Sequence, residues 1–380
     1  QEAAELLRNK KGTSALLRNM DYIISHMNKD EEQRFLMEFP EDCSTLILLQ
    51  LLFRYEGMQR KDGRIFKFTQ HNLMKVHYER PEESKRCKSR LTEEQMKKVG
   101  VMIRSKLTEK LRNRLGKVYI EPSMKSYALP ISENTSQGGF GVLSRGSRIP
   151  IDEGKKLRAF TYWEKVNDID LSVVALTKDG KQKEFSWRTM ARRQSGAITY
   201  SGDETSGYRG GSEYFDINLS EFKALHPEYR YLIFCDNVFS RKNFNECFCK
   251  AGYMLRDWED SGQVYEPKTV KSAYLVNCES TFAYLFGIDL FTNEFVWLNI
   301  AKNSNSRVAG DTELSFLKEY FHLIEVMNMY DFFSMMAEKI VEDPMEADVI
   351  VTDYERECDD DIEVIREYDF EKIKVLMEAE

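Results

Sequence analysis

Apolar residues in the first third of the chain recur at helical spacing. Leucine, isoleucine and methionine side chains lie three and four residues apart between Leu6 and Met27, which places them on one face of an α-helix. Residues 45–53 form a second apolar helical run, and the alternation of residues 64–68 predicts a short strand or hairpin arm. The pattern therefore predicts an α-rich N-terminal region.

Residues 92–95, Thr-Glu-Glu-Gln, have the form of a capping box. In such a box, the side chains at the first and fourth positions accept backbone N–H groups that a helix start leaves unpaired. We predict a helix that runs from here through Leu107 and Leu111 to Leu115, with Gly116 as its stop.

Residues 85–117 hold twelve bases and three acids, a net charge of +9. This density is typical of a nucleic-acid contact, because Lys and Arg neutralise phosphates. The same bases suit the solvated face of an amphipathic helix, and no aromatic side chains interleave with them for base stacking. A contact with the acidic C-terminal tail is a third interpretation, so a nucleic-acid partner stays an alternative.

From Val118 onwards, short runs of β-branched and aromatic residues alternate with Gly, Asn, Asp and Pro at intervals of about eight to twelve residues, which is typical of an antiparallel sandwich or barrel. Lys-Asp-Gly-Lys at 178–181 and Thr-Asn-Glu at 292–294 predict hairpin turns. Strand–helix alternation is missing, which argues against a doubly wound α/β enzyme. The predicted strands are residues 157–163, 170–177, 184–187, 197–200, 213–218, 231–237, 247–256, 273–278, 281–289 and 294–300.

Helical spacing returns after Asp311, over residues 314–324 and 330–340. A short apolar run at 347–351 predicts an edge strand, and Asp359 opens an acidic tail. The expected fold class is α+β. We expect an α-helical N-terminal region over residues 1–117, an antiparallel β-sandwich over 118–305, and a helical C-terminal region with an acidic tail over 306–380.

Charge is unevenly spread along the chain. The 380 residues carry a net charge of −8, but the last 40 alone carry −12, so the body is mildly basic. This balance argues against a chain-wide surface for nucleic acid or anionic membrane. The seven cysteines lack any Cys-x-x-Cys spacing, which favours reduced thiols in the cytoplasm. No apolar run reaches the roughly 20 residues of a bilayer span, so we expect a soluble, cytoplasmic protein.

Enzyme motifs are missing from the sequence. There is no phosphate loop ending in Gly-Lys-Ser/Thr, no Gly-x-Ser-x-Gly and no His-Glu-x-x-His, and the five histidines are isolated. The chain is therefore predicted not to be an enzyme. The alternative is a nucleic-acid or nucleotide-associated adaptor or processing module of a bacterial defence system.

Carboxylates offer the stronger chemical signal. Asp168 and Asp170 lie two residues apart at a predicted strand, so both face the same side. Residues 202–213 form an acidic, glycine-rich loop that contains Asp203 and ends at Glu213. Carboxylates and flexible backbone carbonyls are the ligands that Ca²⁺ takes. Asp, Ser and Gly also dominate hairpin loops for turn geometry alone, so the spacing leaves both interpretations open.

The order of these blocks resembles the TerD family of bacterial tellurium-resistance and stress-response proteins. The resemblance rests on Asp-Ile-Asp-Leu-Ser at 168–172, Gly-Ala-Ile-Thr-Tyr-Ser-Gly-Asp at 196–203 and Phe-Asp-Ile-Asn-Leu at 215–219, and it spans residues 147–301. The flanks at 118–151 and 330–351 are similar to those of longer, multidomain TerD-related proteins. The resemblance implies a two-sheet β-sandwich, Ca²⁺ at clustered loop carboxylates, and a stress-response role without a settled enzymatic activity.

Carried over residue by residue, the resemblance implies Asp168, Asp170, Asp203 and Glu213 as metal ligands. The chain has Gly-Ser-Glu at 211–213 where the family has Gly-Asp-Asp-Glu, and Trp-Glu at 163–164 where Trp-Asp is common. Fewer carboxylates lower the affinity for an ion. The expected function is a non-enzymatic scaffold that binds Ca²⁺ at one rim of the sandwich and protein partners in a stress-response assembly.

Overall fold

The fold combines helices with two antiparallel sheets that face each other, a parallel sheet and a two-stranded antiparallel hairpin. It is seen in a computed structural model that describes residues 2–40, 42–59, 64–70, 73–79, 91–131, 142–192, 194–257, 270–301, 317, 321, 327–355 and 361–378. The predicted mixture of helices and antiparallel sheets is confirmed. No helix within these ranges is long and apolar enough to cross a membrane.

The N-terminal region is helical, as predicted. Its elements are α1 (Glu2–Lys11), α2 (Thr13–Arg18), α3 (Met20–Ile24), α4 (Lys29–Met37), α5 (Thr45–Gln59), the antiparallel hairpin β1 (Arg64–Gln70) and β2 (Leu73–Glu79), and α6 (Glu93–Leu111). The predicted capping box is present at α6, because Thr92 Oγ1 accepts from Gln95 N at 3.2 Å and Gln95 Oε1 accepts from Thr92 N at 2.9 Å.

The predicted end of α6 is wrong. The helix ends at Leu111, and β3 (Leu115–Ile120) begins where the pattern placed the last helical turn. Gly116 lies inside this strand, where a Cβ atom would collide with the carboxylate of Asp348. That carboxylate accepts a hydrogen bond from Lys117 N at 2.7 Å. The glycine therefore permits a close approach between distant segments rather than stopping a helix.

The C-terminal region completes a parallel sheet with β3. Its elements are α8 (Met329–Met336), β16 (Ala337–Ile340), β17 (Val349–Thr352), β18 (Glu363–Arg366) and α9 (Phe370–Glu378), and the strand order is β16-β3-β17-β18. The helix predicted over 330–340 thus changes into a strand at Ala337. The strand predicted at the edge, 347–351, is instead β17, an inner strand of this sheet.

One hydrophobic core joins the N-terminal helices to the C-terminal elements. Ile103 of α6, Val118 of β3 and Phe333 of α8 are buried in it, together with Ile373 of α9. The described part of the predicted acidic tail, residues 361–378, is therefore packed structure and not a free arm, because its apolar positions fit this core. Asp359 lies outside the described residues, and the boundary expected at 117/118 falls within β3.

The β-sandwich consists of two six-stranded antiparallel sheets. One has the order β13-β12-β5-β10-β9-β8 and the other the order β4-β15-β14-β11-β6-β7. The strands are β4 (Arg148–Pro150), β5 (Lys156–Glu164), β6 (Ile169–Thr177), β7 (Gln182–Phe185), β8 (Gln194–Ser195), β9 (Ile198–Tyr200), β10 (Gly211–Ile217), β11 (Tyr229–Val238), β12 (Phe248–Arg256), β13 (Val270–Leu275), β14 (Phe282–Asp289) and β15 (Glu294–Ala301), with helix α7 (Leu219–Leu225) between β10 and β11.

Side chains alternate along β6 between two apolar layers. Leu171 and Val173 pack between the two sheets, whereas Val174 and Leu176 pack on the outer face of their own sheet. Both predicted hairpin turns are present, with φ of 89° at Gly180 and 56° at Asn293. β6 and β10 lie in facing sheets. Their first residues meet at one end of the sandwich, where Leu171 N donates to the Glu213 carboxylate.

Candidate metal centre

Three of the four predicted metal ligands meet at that end of the sandwich. Asp168 precedes β6, Asp203 lies in the loop between β9 and β10, and Glu213 lies on β10. One carboxylate oxygen from each lies within 4.8 Å of the others. Asp203 is exposed, whereas Asp168 and Glu213 are buried. The arrangement therefore forms a three-carboxylate centre that bridges the two sheets and opens to solvent on the side of Asp203.

Glu213 reaches this centre because of the alternation in β10. Its side chain faces the inside of the sandwich together with Phe215 and Ile217, and it is 0% exposed. The carboxylate Oε2 accepts from Leu171 N at 2.9 Å, and Oε1 accepts from Glu204 N at 3.1 Å. These two bonds attach the carboxylate both to β6 and to the loop that carries Asp203. Burial nevertheless raises the pKa of Glu213 well above its usual range.

The glycines of the loop are explained by packing against Trp163. A Cβ atom on Gly207 would lie 2.7 Å from the indole Nε1, and a Cβ atom on Gly211 would lie 2.6 Å from Cε2. The backbone of Gly207 also donates to Asn167 O at 2.7 Å. Only glycine allows the loop to lie this close to the buried ring. Turn geometry alone therefore does not account for these two glycines.

Asp168 is the least satisfied of the carboxylates. It is 9% exposed, and its buried Oδ1 has no hydrogen-bond partner among the described residues. Burial, followed by the nearby charges of Asp170, Asp203 and Glu204, raises the pKa of Asp168 to about 7. A buried carboxylate without a partner costs free energy unless it is neutralised. A bound cation would remove this cost.

Asp170 is held differently from the other three predicted ligands. It is 3% exposed, and its Oδ2 accepts from the Asn237 side chain at 3.0 Å. It is not part of the three-carboxylate group that shares the 4.8 Å spacing. Its charge still raises the pKa of Asp168 and of Glu213. Glu164, which precedes this segment, accepts from Tyr162 Oη at 2.9 Å.

A further buried acid, Asp236 on β11, was missed in the sequence. It is 0% exposed, and both of its carboxylate oxygens lie within hydrogen-bonding distance of Thr161 Oγ1, at 3.0 and 2.9 Å. Burial raises the pKa of Asp236 well above its usual range. The sequence does contain a sign of this buried acid. Asp236 is the only acid in the apolar run Tyr229–Val238, and side chains alternate along that strand between the two faces of a buried sheet.

Tyr200 completes the inner wall of the centre. Its ring stacks on Phe215, with centroids 4.8 Å apart, and its buried hydroxyl lies near Glu213 without a hydrogen bond of good geometry. Burial, and then the charge of Glu213, raises the pKa of the Tyr200 hydroxyl far above its usual range. Among the described residues, Asp168 Oδ1 and Tyr200 Oη are therefore buried oxygen atoms of this centre without a hydrogen bond of good geometry.

The chemistry of this donor set is that of a hard cation. No ion pair joins Asp168, Asp203 or Glu213 to a Lys or Arg within the described ranges. Oxygen ligands without sulfur or imidazole suit Ca²⁺ or Mg²⁺ rather than Zn²⁺ or Cu²⁺. The three-carboxylate group could therefore hold a metal ion.

The basic residues of α6 lie elsewhere, in the helical region. Lys98 forms ion pairs with Glu94 at 2.9 Å and with Glu32 at 3.6 Å. Lys106 pairs with Glu109 at 3.0 Å, and Lys110 donates to Cys43 O at 2.9 Å. Three bases of this helix are thus engaged within the chain. The bases at 85–90 lie outside the described residues, and the nucleic-acid interface stays a prediction.

Comparison of the chain with family models, with curated proteins and with solved structures found no match. The resemblance to the TerD family therefore stays a prediction, and the case for a metal centre rests on the geometry of Asp168, Asp203 and Glu213.

Proposed function

We propose that the protein is a non-enzymatic scaffold of the TerD type that binds Ca²⁺ at the end of its β-sandwich. The observation that carries this proposal is the position of Asp168. Its carboxylate is nine-tenths buried, and Oδ1 has no hydrogen-bond partner among the described residues. One of its oxygens lies within 4.8 Å of an oxygen of Asp203 and of Glu213. Folding concentrates negative charge here, and no Lys or Arg among the described residues forms an ion pair with these three carboxylates. A divalent ion supplies the missing positive charge.

Calcium suits this centre better than magnesium. Ca²⁺ takes six to eight oxygens in irregular geometry, whereas Mg²⁺ demands near-ideal octahedral geometry and keeps several waters. The carboxylates come from a strand, a strand entrance and a glycine-rich loop, which makes a regular octahedron hard to build. Backbone carbonyl oxygens, which a flexible loop can offer, are also common calcium ligands.

The ion would stabilise the association of the two sheets. Asp168 leads into β6 of one sheet, whereas Glu213 lies on β10 of the other. An ion held by both residues therefore links the two sheets, and its bond to Asp203 orders the loop between β9 and β10. In this proposal the helical region and the parallel sheet contact protein partners in a stress-response assembly, as the resemblance to TerD proteins implies.

Terbium luminescence tests the ion site directly. Tb³⁺ replaces Ca²⁺ at oxygen sites and emits when a nearby aromatic ring transfers energy to it. Trp163, which packs against Gly207 and Gly211, is placed to sensitise such an ion. We expect emission that Ca²⁺ displaces, and we expect its loss in Asp203→Asn.

The matched control is Asp179→Asn, which removes an exposed carboxylate at the opposite end of the same sandwich. Unchanged emission in Asp203→Asn, or equal losses in both variants, would refute the site. Asp203 is exposed, so its replacement by Asn leaves the core of the sandwich unchanged.

A further inference from the structure

Three loops surround the metal centre and are joined to one another by backbone hydrogen bonds. Lys165 N donates to Tyr208 O at 2.9 Å, and Gly207 N donates to Asn167 O at 2.7 Å. Phe239 N donates to Asp168 O at 3.2 Å. The segments around residues 165, 208 and 239 therefore form a single surface at the end of the sandwich that holds the three carboxylates.

Four cations lie on these loops, and we call them the basic ring: Lys165, Arg209, Arg241 and Lys242. All four are exposed. No ion pair or side-chain hydrogen bond to any of them occurs among the residues that the structure describes. Lys165 and Lys242 both lie near the thiol of Cys247. Burial raises the pKa of this thiol, and the positive charges of the two lysines lower it by a smaller amount. The basic ring thus places four exposed positive charges beside the acidic centre.

The backbone at two members of the basic ring is strained. Lys165 has φ of 72° and Arg241 has φ of 61°, whereas the other described non-glycine residues with positive φ are all asparagines. Asparagine tolerates this region, but a long side chain with a Cβ atom occupies it at a cost. Such strain concentrates at functional sites. The chain keeps a cation at both positions where glycine or asparagine would fit the backbone better.

Two aromatic side chains extend the same surface. Tyr208 is 56% exposed and directly precedes Arg209 in the sequence. Phe239 is 52% exposed and lies two residues before Arg241. Exposed aromatic rings beside Lys and Arg are typical of proteins that lie at a membrane–water interface. Here both kinds of residue lie around the three-carboxylate centre.

The opposite end of the sandwich differs in one respect. It also carries cations and an exposed aromatic, Phe291, around a cleft of about 670 Å³. Three of the cations that line this cleft are paired with acids of the chain, since Lys181 pairs with Asp179, Arg230 with Asp289, and Lys223 with Glu153. These three cations are thus neutralised within the chain, whereas no ion pair to a member of the basic ring occurs in the part of the chain that the structure describes.

We propose that the basic ring, Tyr208 and Phe239 dock the protein on an anionic phospholipid surface when the metal centre is loaded. This inference rests on the proposed ion site. The bound ion neutralises the carboxylates, which would otherwise repel the surface, and lipid phosphate or carboxylate oxygens complete its coordination. The four cations are attracted to the anionic headgroups. The two aromatic rings enter the interfacial layer.

The test is co-sedimentation with vesicles of phosphatidylcholine alone or mixed with phosphatidylserine, in Ca²⁺ or in EDTA. We expect binding only with both phosphatidylserine and Ca²⁺, and weaker binding at high salt. Lys165→Gly combined with Arg241→Gly should lower the partition coefficient about tenfold or more, given the contribution of each base near such a surface. Tyr208→Ala combined with Phe239→Ala should lower it as well. Lys181→Glu with Phe291→Ala, at the opposite end, is the matched control and should bind as the parent does.

Terbium luminescence on the same samples separates this inference from the ion site. Retained terbium binding without any vesicle binding would overturn the docking proposal and leave the ion site in place. Loss of vesicle binding in the control variant would also overturn it. Binding to a single-stranded oligonucleotide in place of vesicles would assign the ring to nucleic acid and refute the lipid surface. If terbium does not bind, the ion site fails, and Ca²⁺-dependent docking fails with it.

Discussion

Glu213 and Leu171 belong to facing sheets, yet the Glu213 carboxylate accepts the backbone N–H of Leu171 at 2.9 Å. The bond places a buried acid from β10 directly against the entrance of β6. Asp168 and Asp170 flank that entrance in sequence, so the contact that joins the sheets also builds the acidic centre.

Without an ion, Asp168 should make the protein less stable as the pH rises. The pKa of Asp168 is about 7 in the folded protein, above its value of 3.8 in a free carboxyl. The folded state therefore holds this proton more tightly than the unfolded state does, and stability falls as the pH rises from about 4 to about 7. In EDTA, this change should lower the free energy of unfolding of the parent by an amount on the order of a few kcal/mol. Asp168→Asn should not show this loss.

Urea unfolding in EDTA at pH 5 and pH 8 measures this effect. The parent should lose more free energy of unfolding between the two pH values than Asp168→Asn does. Asp179→Asn, at an exposed position, should behave as the parent does. An equal pH dependence in the parent and in Asp168→Asn would contradict the assignment.

Asp236 should tolerate replacement by its amide but not by alanine. Its oxygens accept from Thr161 Oγ1 at 2.9 and 3.0 Å, and burial favours the uncharged acid. Asn keeps the acceptor and the shape, so Asp236→Asn should change the free energy of unfolding by about 1 kcal/mol or less. Asp236→Ala leaves Thr161 unpaired and opens a cavity, which costs about 2–4 kcal/mol. Chemical denaturation compares the two, and similar losses would show that the hydrogen bond is unimportant.

The loop glycines should be indispensable where they meet Trp163. Gly211→Ala would place a Cβ atom 2.6 Å from the indole and 2.8 Å from Gly207 Cα. We expect a loss of about 2 kcal/mol or more from this overpacking, together with weaker terbium binding. Gly180→Ala is the control, because that glycine has φ of 89° but no atom within 4 Å of the added Cβ. It should cost only about 1 kcal/mol of backbone strain and leave terbium binding unchanged.

Replacing either strained cation by glycine should not destabilise the protein. Lys165→Gly and Arg241→Gly relieve positive φ angles of 72° and 61°, which offsets the added entropy of the unfolded chain. We expect each variant to change the free energy of unfolding by about −0.5 to +1 kcal/mol. Urea denaturation measures this change. A loss well beyond that range would mean that these side chains support the fold.

Local features of the fold could be predicted from the sequence. The Asp-Gly turn at Gly180 and the capping box at Thr92 depend only on neighbouring residues, and both are present. The parallel sheet could not be predicted, because β3 pairs with strands more than 200 residues further along the chain. The prediction that Gly116 ends a helix is wrong for the same reason. This glycine allows a close contact with Asp348, which is equally distant along the chain.

The candidate site, too, could be predicted from the sequence only in part. The spacing of Asp168 and Asp170 and the loop from Asp203 to Glu213 identified the segments that meet. Which oxygens come close depends on how β6 and β10 face each other, and no local pattern contains that information. The Asn237 contact that holds Asp170, and the buried Asp236, both arise from β11, the strand that pairs with β6 in the same sheet.

Thermal unfolding with Ca²⁺, Mg²⁺ or EDTA tests the central claim most directly. Calcium at about a hundred times its Kd should stabilise the folded state by about 2.7 kcal/mol, which raises Tm by several degrees for a domain of this size. We predict a rise with Ca²⁺ that exceeds any rise with Mg²⁺ and is absent in Asp203→Asn. An unchanged Tm up to millimolar Ca²⁺, or the same rise in Asp203→Asn, would contradict a calcium centre at Asp168, Asp203 and Glu213.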